Sequence, residues 1–213
     1  MKVSIIIPAK EEERVIMGTT CVLKRSLTLP SEIIVSDARS EDRTVEQAKK
    51  CADRVVIYDG SVEHTRGRAR NDGAKVATGE VLCFMDPDVF IANPNEFFAR
   101  ALHHFASPDV MGVAVSERVR SEVETVKDMM LSVLRNSTRW FRNNVKHSPR
   151  VSGKCFFVRR SAFLLLDGFR EEMMKDEDKE FFARLGEKGR TVFEPRCVVT
   201  HSRHMKAPFR LFV

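Results

Sequence analysis

The stretch from Ala69 to Val89, ARNDGAKVATGEVLCFMDPDV, joins a helix end, a turn and a buried strand closed by acids. The helix begins near Gly67 and runs to about Ala77, and Gly79 stops it. Val81–Met85 (VLCFM) is a continuous apolar run, the pattern of a strand covered on both faces. Asp86-Pro87-Asp88 ends that strand. Two carboxylates one residue apart can grip a hard divalent cation, because Mg²⁺ or Mn²⁺ takes one or two protein carboxylates and fills its shell with water and phosphate oxygens. The same tripeptide also suits an ordinary turn, and alone it leaves both readings open.

Upstream, Val3 to Ile7 reads as a buried strand closed by Pro8, and Glu11 to about Ser26 as a helix with an acidic first turn. Glu32 to Ser36 is a second strand with Asp37 at its end, Ser40 is placed to cap a helix running to about Cys51, and Arg54 to Ile57 is a third strand. Strand-helix alternation with apolar strands predicts an α/β fold, a mainly parallel sheet with helices on both faces. Ligands of such sheets bind beyond the carboxyl ends of the strands, where Asp37, Asp86 and Asp88 fall. Downstream, helices are expected over Pro94–Phe105, Val123–Val145, Ser161–Leu166 and Asp176–Gly186. Strands are expected at Met111–Val115, Lys154–Arg159, Thr191–Phe193 and Cys197–Thr200. No linker, repeat or charge block divides the chain, so one domain is expected over residues 1–213.

The 213 residues are 43% hydrophobic and 31% charged, which excludes disordered, collagenous and low-complexity classes. A net charge of +6 suits a phosphate-bearing ligand, nucleic acid or an anionic membrane without choosing among them. The five cysteines form no CxxC pair, and Cys83, Cys155 and Cys197 lie in apolar runs as small core residues. The expectation is a reducing compartment with no disulfide framework. No apolar stretch approaches the ~20 residues of a membrane span, and the first apolar run is too short for a signal peptide.

Other candidates are weaker taken singly. Arg66, Arg68 and Arg70 cluster at a helix start, where arginine forks match phosphate but equally make a solvated face. Glu177-Asp178 opens a helix and supplies either a general base or routine acidic decoration of the helix start. His201 ends a strand-like run and is more often structural than a metal ligand.

Five blocks in order give these residues a context: SIIIPAKEEE, EIIVSDARSEDRT, ARNDGAKVATGEVLCFMDPDV, GKCFFVRRSAFLLLDGF and DEDKEFFARLGEKG. Together they resemble the family 2 glycosyltransferases of GT-A fold, across about residues 3–193. The resemblance implies a nucleotide-sugar-binding half over about residues 1–92 and an acceptor-binding, catalytic half over about 93–213. Pro8, Ala9 and Glu11 would line the nucleoside pocket, Asp37 would contact the base, and Arg66 or Arg70 would help hold the nucleotide. Asp86 and Asp88 resemble the metal-binding pair for Mn²⁺ or Mg²⁺, with His201 near the metal or diphosphate. Gly153, Arg159, Arg160 and Glu177 fall on the acceptor side, and Asp178 resembles the catalytic base. The implied reaction is metal-dependent, inverting transfer of one sugar from a UDP- or GDP-sugar to an acceptor hydroxyl, on a glycan or a lipid-linked molecule. The implied location is cytoplasmic, with peripheral contact at the inner face of the membrane and no nucleic-acid partner.

Some residues depart from the family pattern. Asp37-Ala38-Arg39-Ser40 stands where Asp-Asp-Gly-Ser is usual, and Asp167-Gly168-Phe169 where Gly-Gly-Phe is frequent. The Gln-x-x-Arg-Trp motif of processive synthases is absent, which favours single-sugar transfer. A sugar-phosphate nucleotidyltransferase is the first alternative, but PAKEEE fills the place of its glycine-rich basic loop. A non-catalytic nucleotide-binding or membrane-associated module is the second, and a retaining transferase on the same fold the third. The stretch Val123–Val145, with Met129, Met130, Trp140 and Phe141 in its apolar stripe, is either a core-covering helix or a membrane-contacting one.

Overall fold

The computed structural model describes residues 1–60, 65–119 and 124–201. In chain order the elements of the first half are β1 (Val3–Ala9), α1 (Ile16–Ser26), β2 (Ser31–Asp37), α2 (Thr44–Ala48), β3 (Arg54–Ile57), α3 (Arg66–Lys75) and β4 (Val81–Met85). The second half adds β5 (Val89–Phe90), α4 (Pro94–His103), β6 (Val110–Val119), α5 (Val126–Asn144), β7 (Cys155–Arg159), α6 (Arg160–Leu165), α7 (Glu177–Lys188) and β8 (Arg190–His201). One eight-stranded sheet runs β3-β2-β1-β4-β7-β6-β8-β5. The first four strands are parallel, β7 is antiparallel to both β4 and β6, and β6 pairs parallel with β8. This curled, mainly parallel sheet between helices is the expected α/β architecture of GT-A type.

Alternation along the strands divides the core into two layers. Val3, Ile5 and Ile7 of β1, with Val81, Cys83 and Met85 of β4, face α1 and α4. Ile6, Leu82 and Phe84 face α3, α6 and α7, where Phe163, Phe169, Phe181 and Phe182 fill the space. Both faces are covered, so the strands needed no polar alternation.

Local expectations fail where side chains seize the backbone. The first helix starts at Ile16, and Glu11, Glu12 and Glu13 precede it instead of forming its first turn. Glu11 adopts φ 56°, and the Glu12 and Glu13 amides donate to Thr44 Oγ1 (2.7 Å) and Asp42 Oδ2 (3.2 Å). Ser40 caps no helix, because its amide and hydroxyl both donate to Asp37, and α2 shrinks to Thr44–Ala48. The two strands expected at the chain's end are one, β8.

Helix α5 overturns the core-covering reading. Its start is fixed by a capping box between Thr125 and Asp128, while the expected start at Val123 lies outside the described residues. The residues it buries are polar: Asp128, Ser132 and Asn143. Side-chain amides fasten it to the sheet, with Asn136 on the Glu117 carbonyl (3.0 Å), Asn144 on the Phe193 carbonyl (3.0 Å) and Asn143 accepting from the Thr191 hydroxyl (2.9 Å). Its large apolar residues face outward, Val126, Met130 and Leu134 at 71%, 67% and 64% exposure, along with Met129, Val133, Trp140 and Phe141. Among the described residues no helix is long and apolar enough to cross a membrane.

The expectation of no disulfide is also corrected. Cys21 on α1 and Cys51 after α2 are bonded, with Cα atoms 5.0 Å apart. The two segments pack side by side on one face of the sheet, a proximity that a sequence separation of 30 conceals. Cys83, Cys155 and Cys197 are free and buried, as expected. Thiol titration in denaturant without reductant should therefore count three thiols, and five after reduction. A count of five before reduction overturns the bridge.

Candidate active site

The site is a consequence of strand direction. Strands β1, β2 and β4 end at one edge, and β7, running the other way, begins there, with Met85 opposite Cys155. The entry to β7, Ser152-Gly153-Lys154, thereby meets Asp86-Pro87-Asp88 leaving β4, and the Asp86 amide donates to the Lys154 carbonyl (2.9 Å). Parallel pairing of β6 and β8 brings Glu117 and His201 to the same edge. The cleft so formed has a volume of about 1150 Å³. Pro8, Ala9 and Arg66 line it on the β1–α3 side, with Asp86 and Asp88. Gly153, Glu177, Asp178 and His201 line it from the second half of the chain.

Asp86 and Asp88 hold one ammonium between them. Lys154 Nζ lies 3.1 Å from Asp86 Oδ2 and 3.1 Å from Asp88 Oδ1. Burial alone would lower the Lys154 pKa, but the two carboxylates outweigh it and raise it. Glu12 lines the same wall, and burial together with the charges of Asp88 and Asp86 pushes its carboxyl up to about 7. The pair fits a hard divalent cation: both are oxygen donors, and a cation already bridges them. Among the described residues no cluster of three or more His, Cys, Asp or Glu closes a full protein shell, so such a cation would draw the rest of its shell from water and phosphate.

The second centre is built around Arg70, which is 1% exposed. Its Nη1 donates to Glu177 Oε1 (2.7 Å), its Nη2 donates to the Gly153 carbonyl (3.0 Å), and Asp86 Oδ1 lies 3.8 Å from Nη2. The guanidinium sits over the rings of Phe156 and Phe169, each 5.4 Å away. Arg70 is thus committed to the protein and does not line the cleft, which corrects its expected role on the nucleotide. Asp178 follows Glu177 at the start of α7, behind Asp176 at φ 60°. Burial raises the Asp178 carboxyl above its ordinary pKa, Arg70 opposes this and the Glu177 charge adds to it. Gly153 allows the approach, since a Cβ there would lie 3.1 Å from Asp178 Oδ2.

A third group ties α5 to the cleft. Glu117 accepts from Arg139 Nη2 (2.6 Å) and from the Ser152 hydroxyl. Burial would raise the Glu117 carboxyl, but Arg139, Ser152 and His201 hold it below its ordinary value. Arg135 of the same helix lines the cleft.

Two expected nucleoside residues act as braces. Asp37 is fully buried and takes both Ser40 donors, and Glu11 Oε1 accepts the Glu41 amide (2.8 Å) while its own amide donates to Ser40 Oγ (3.0 Å). Neither lines the cleft, although Ala38 beside Asp37 does. Arg39 adopts φ 57°, the left-handed region natural to the glycine usual in the family, and donates to the Gly60 carbonyl (3.2 Å). Arg159 and Arg160 are corrected outright. Arg159 lies opposite Val81, at the start of β4, and donates to the carbonyls of Val110, Phe105 and Ser107. The reversal of β7 carries both arginines to the edge remote from the cleft. Sequence reasoning missed Glu12, Glu117, Ser152 and Lys154. The signals available were the acid run after β1 and the polar residues flanking Gly153.

Residues 4–165 match the Glycosyl transferase family 2, and the chain belongs to that family. The O-antigen chain rhamnosyltransferase RfbN of Salmonella typhimurium is 22% identical over 213 residues, covering 96% of this chain and 67% of that protein. The fold is shared with the Pyrobaculum calidifontis mannosyltransferase PcManGT, solved with GDP-Man and Mn²⁺ (TM-score 0.75, 19% identity, 96% of this chain and 57% of that one). It is shared too with S. aureus TarS 1-349, solved with UDP-GlcNAc (TM-score 0.70, 18% identity, 97% and 60%). The chain therefore spans less than two thirds of either solved chain.

The buried Arg70–Glu177 pair generates a prediction. Arg70→Met leaves a desolvated carboxylate and should cost about 3–5 kcal/mol, read by urea unfolding. Combining it with Glu177→Gln should recover a large part of that loss. Strict additivity of the two losses contradicts the pairing.

Proposed function

We propose that this chain moves one sugar from a nucleotide-diphospho-sugar to an acceptor hydroxyl with inversion, and that Asp178 is the base. The observation that carries this reading is one cleft holding the Asp86–Asp88 pair and a separate, buried carboxyl at Asp178 with a raised pKa. Carboxyl groups set in such different surroundings, a cation-bridged pair and a buried single acid, suit two different roles. The family match supports sugar transfer, and the fold neighbours solved with GDP-Man and UDP-GlcNAc support a GDP- or UDP-linked donor. The first half of the chain, about residues 1–92, would take the donor, and about 93–213 the acceptor. Pro8, Ala9, Ala38 and Arg66 would surround the nucleoside, on loops held in place by Asp37 and Glu11.

Mn²⁺ or Mg²⁺ held by Asp86 and Asp88, with His201 in the same cleft, would supply Lewis-acid neutralisation of the departing diphosphate. Asp178 would accept the proton of the acceptor hydroxyl as that oxygen attacks the face of the anomeric carbon opposite the leaving group. Its raised pKa gives the carboxylate more basicity than an exposed aspartate. Arg70 keeps Glu177 and the Gly153 loop fixed while Asp178 takes the proton. The β1–α1 loop, rich in glutamate, gives no support to a nucleotidyltransferase. Asp178→Asn should bind UDP or GDP with Mn²⁺ as the parent does, and turn over donor sugar ~10²–10⁴-fold more slowly. Calorimetry and a donor-hydrolysis screen over UDP- and GDP-sugars check both halves, and near-parental turnover removes Asp178 as the base.

The partner surface is α5. We infer that its outward apolar stripe lies in an anionic membrane interface and brings the cleft to a lipid-linked acceptor. Lys127 and Arg135 of the helix, and Lys146 and Arg150 after it, are exposed, and their charge suits an anionic lipid surface. Arg135 also lines the cleft, so the helix would set the site beside the lipid. The full chain should co-sediment with vesicles containing phosphatidylglycerol and less with neutral phosphatidylcholine. Met130→Asp with Leu134→Asp should abolish this binding. Arg135→Glu with Lys146→Glu should remove the preference for the anionic vesicles. Binding to neither vesicle, or binding unchanged by the aspartates, removes the membrane from this reading.

A further inference from the structure

We propose that Lys154 is a built-in counter-ion of the Asp86–Asp88 pair, which gives up its place to the divalent cation and moves onto the donor's diphosphate. The proposal rests on the reading of that pair as a cation site. Its basis is geometric. The ammonium lies 3.1 Å from a carboxylate oxygen of each aspartate, and 3.5 Å from the second oxygen of Asp88. An ammonium is a compact point charge with three donors, so it can bridge two acids as a metal does.

The backbone and the side chain of Lys154 are held differently. Its carbonyl accepts the Asp86 amide (2.9 Å), and its amide donates to Ser152 Oγ (3.4 Å). These bonds fix the Cα at the rim, beside the acids. The flexible stem ends in a side chain 29% exposed, opening on the same cleft. The head can therefore exchange one anionic partner for another without backbone movement.

The charges dictate when it exchanges. A divalent cation on Asp86 and Asp88 would face the ammonium at contact range, and like charges that close repel. Neither stays if the other keeps both carboxylates. A diphosphate arriving with the metal offers the displaced ammonium a new anionic partner within the same cleft. Lys154 therefore disfavours metal without nucleotide and favours nucleotide once metal is present. The two ligands become positively coupled, and the coupling is reciprocal. Arg70 cannot substitute, because its guanidinium is bound to Glu177 and the Gly153 carbonyl.

The test uses the full chain and Mn²⁺, followed by the electron-spin resonance of the free ion, with and without saturating UDP or GDP. Lys154→Met should bind Mn²⁺ ~10-fold more tightly than the parent when no nucleotide is present, since a charge-assisted competitor has gone. It should bind UDP or GDP in Mn²⁺ ~10-fold more weakly, having lost a charged contact. Lys154→Gln, which keeps the polarity, should change both affinities in the same directions. Asp88→Asn reports separately on the cation site. If Asp88→Asn loses Mn²⁺ while both Lys154 variants bind it as the parent does, the counter-ion role is overturned and the cation site stands. If Asp88→Asn keeps parental Mn²⁺ affinity, the cation site itself is wrong and the proposal falls with it.

Discussion

A guanidinium sealed from water needs anionic and carbonyl partners, and in this protein that demand organises the second half of the chain around the cleft. Arg70 comes from α3, in the first half of the chain. Its partners, Glu177 and the Gly153 carbonyl, come from two segments more than 80 residues further on. Leaving either donor pair unmet would strand charge in a protein interior, which is costly. The entry to β7 and the first turn of α7 are therefore pinned to one place. Asp178, next to Glu177, is carried to its position by a bond it does not make. Phe156 and Phe169 close over the guanidinium. Rigidity around Asp178 thus comes from Arg70, whereas its raised pKa comes from burial, with the Arg70 charge working against it.

The acids of the β4 end obey a different rule. Asp86, Asp88 and Glu12 concentrate negative charge in a cleft that the sheet edge alone would leave open. Burial first, and then the charges of Asp88 and Asp86, push the Glu12 carboxyl up to about 7. Loops around it are tied down by side chains rather than by helix or strand. The bonds among Asp37, Ser40, Glu11 and Glu41 lock the turn after β2 to the turn after β1. This side of the cleft is preorganised by these bonds, and any ligand bound there would have little loop entropy left to remove.

What could be read from sequence follows from what each signal encodes. Continuous apolar runs revealed strands covered on both faces, and acids at their ends marked the edge where the cleft opens. Periodicity showed that α5 has an apolar face. It carries no information on which face meets the sheet, and here Asn136, Asn143 and Asn144 turn the polar one inward. Motif position suggested Arg159 and Arg160 for the acceptor, but motif position is blind to strand direction, and β7 runs backwards. Arg70 was visible as a cation and invisible as a buried one, because its partners are remote in sequence. The same remoteness hid the Cys21–Cys51 bond and the seat of Lys154 between two aspartates.

The inverted packing of α5 also sets how that helix comes loose. Detaching it exposes amides, a guanidinium and a carboxylate, with little new hydrocarbon, because its hydrocarbon is already in water. The heat-capacity increment and denaturant sensitivity of such an opening are small, since both scale with the surface newly exposed. Opening at α5 would therefore be marked by a weak denaturant dependence of its amide exchange, unlike opening of the phenylalanine-packed layer.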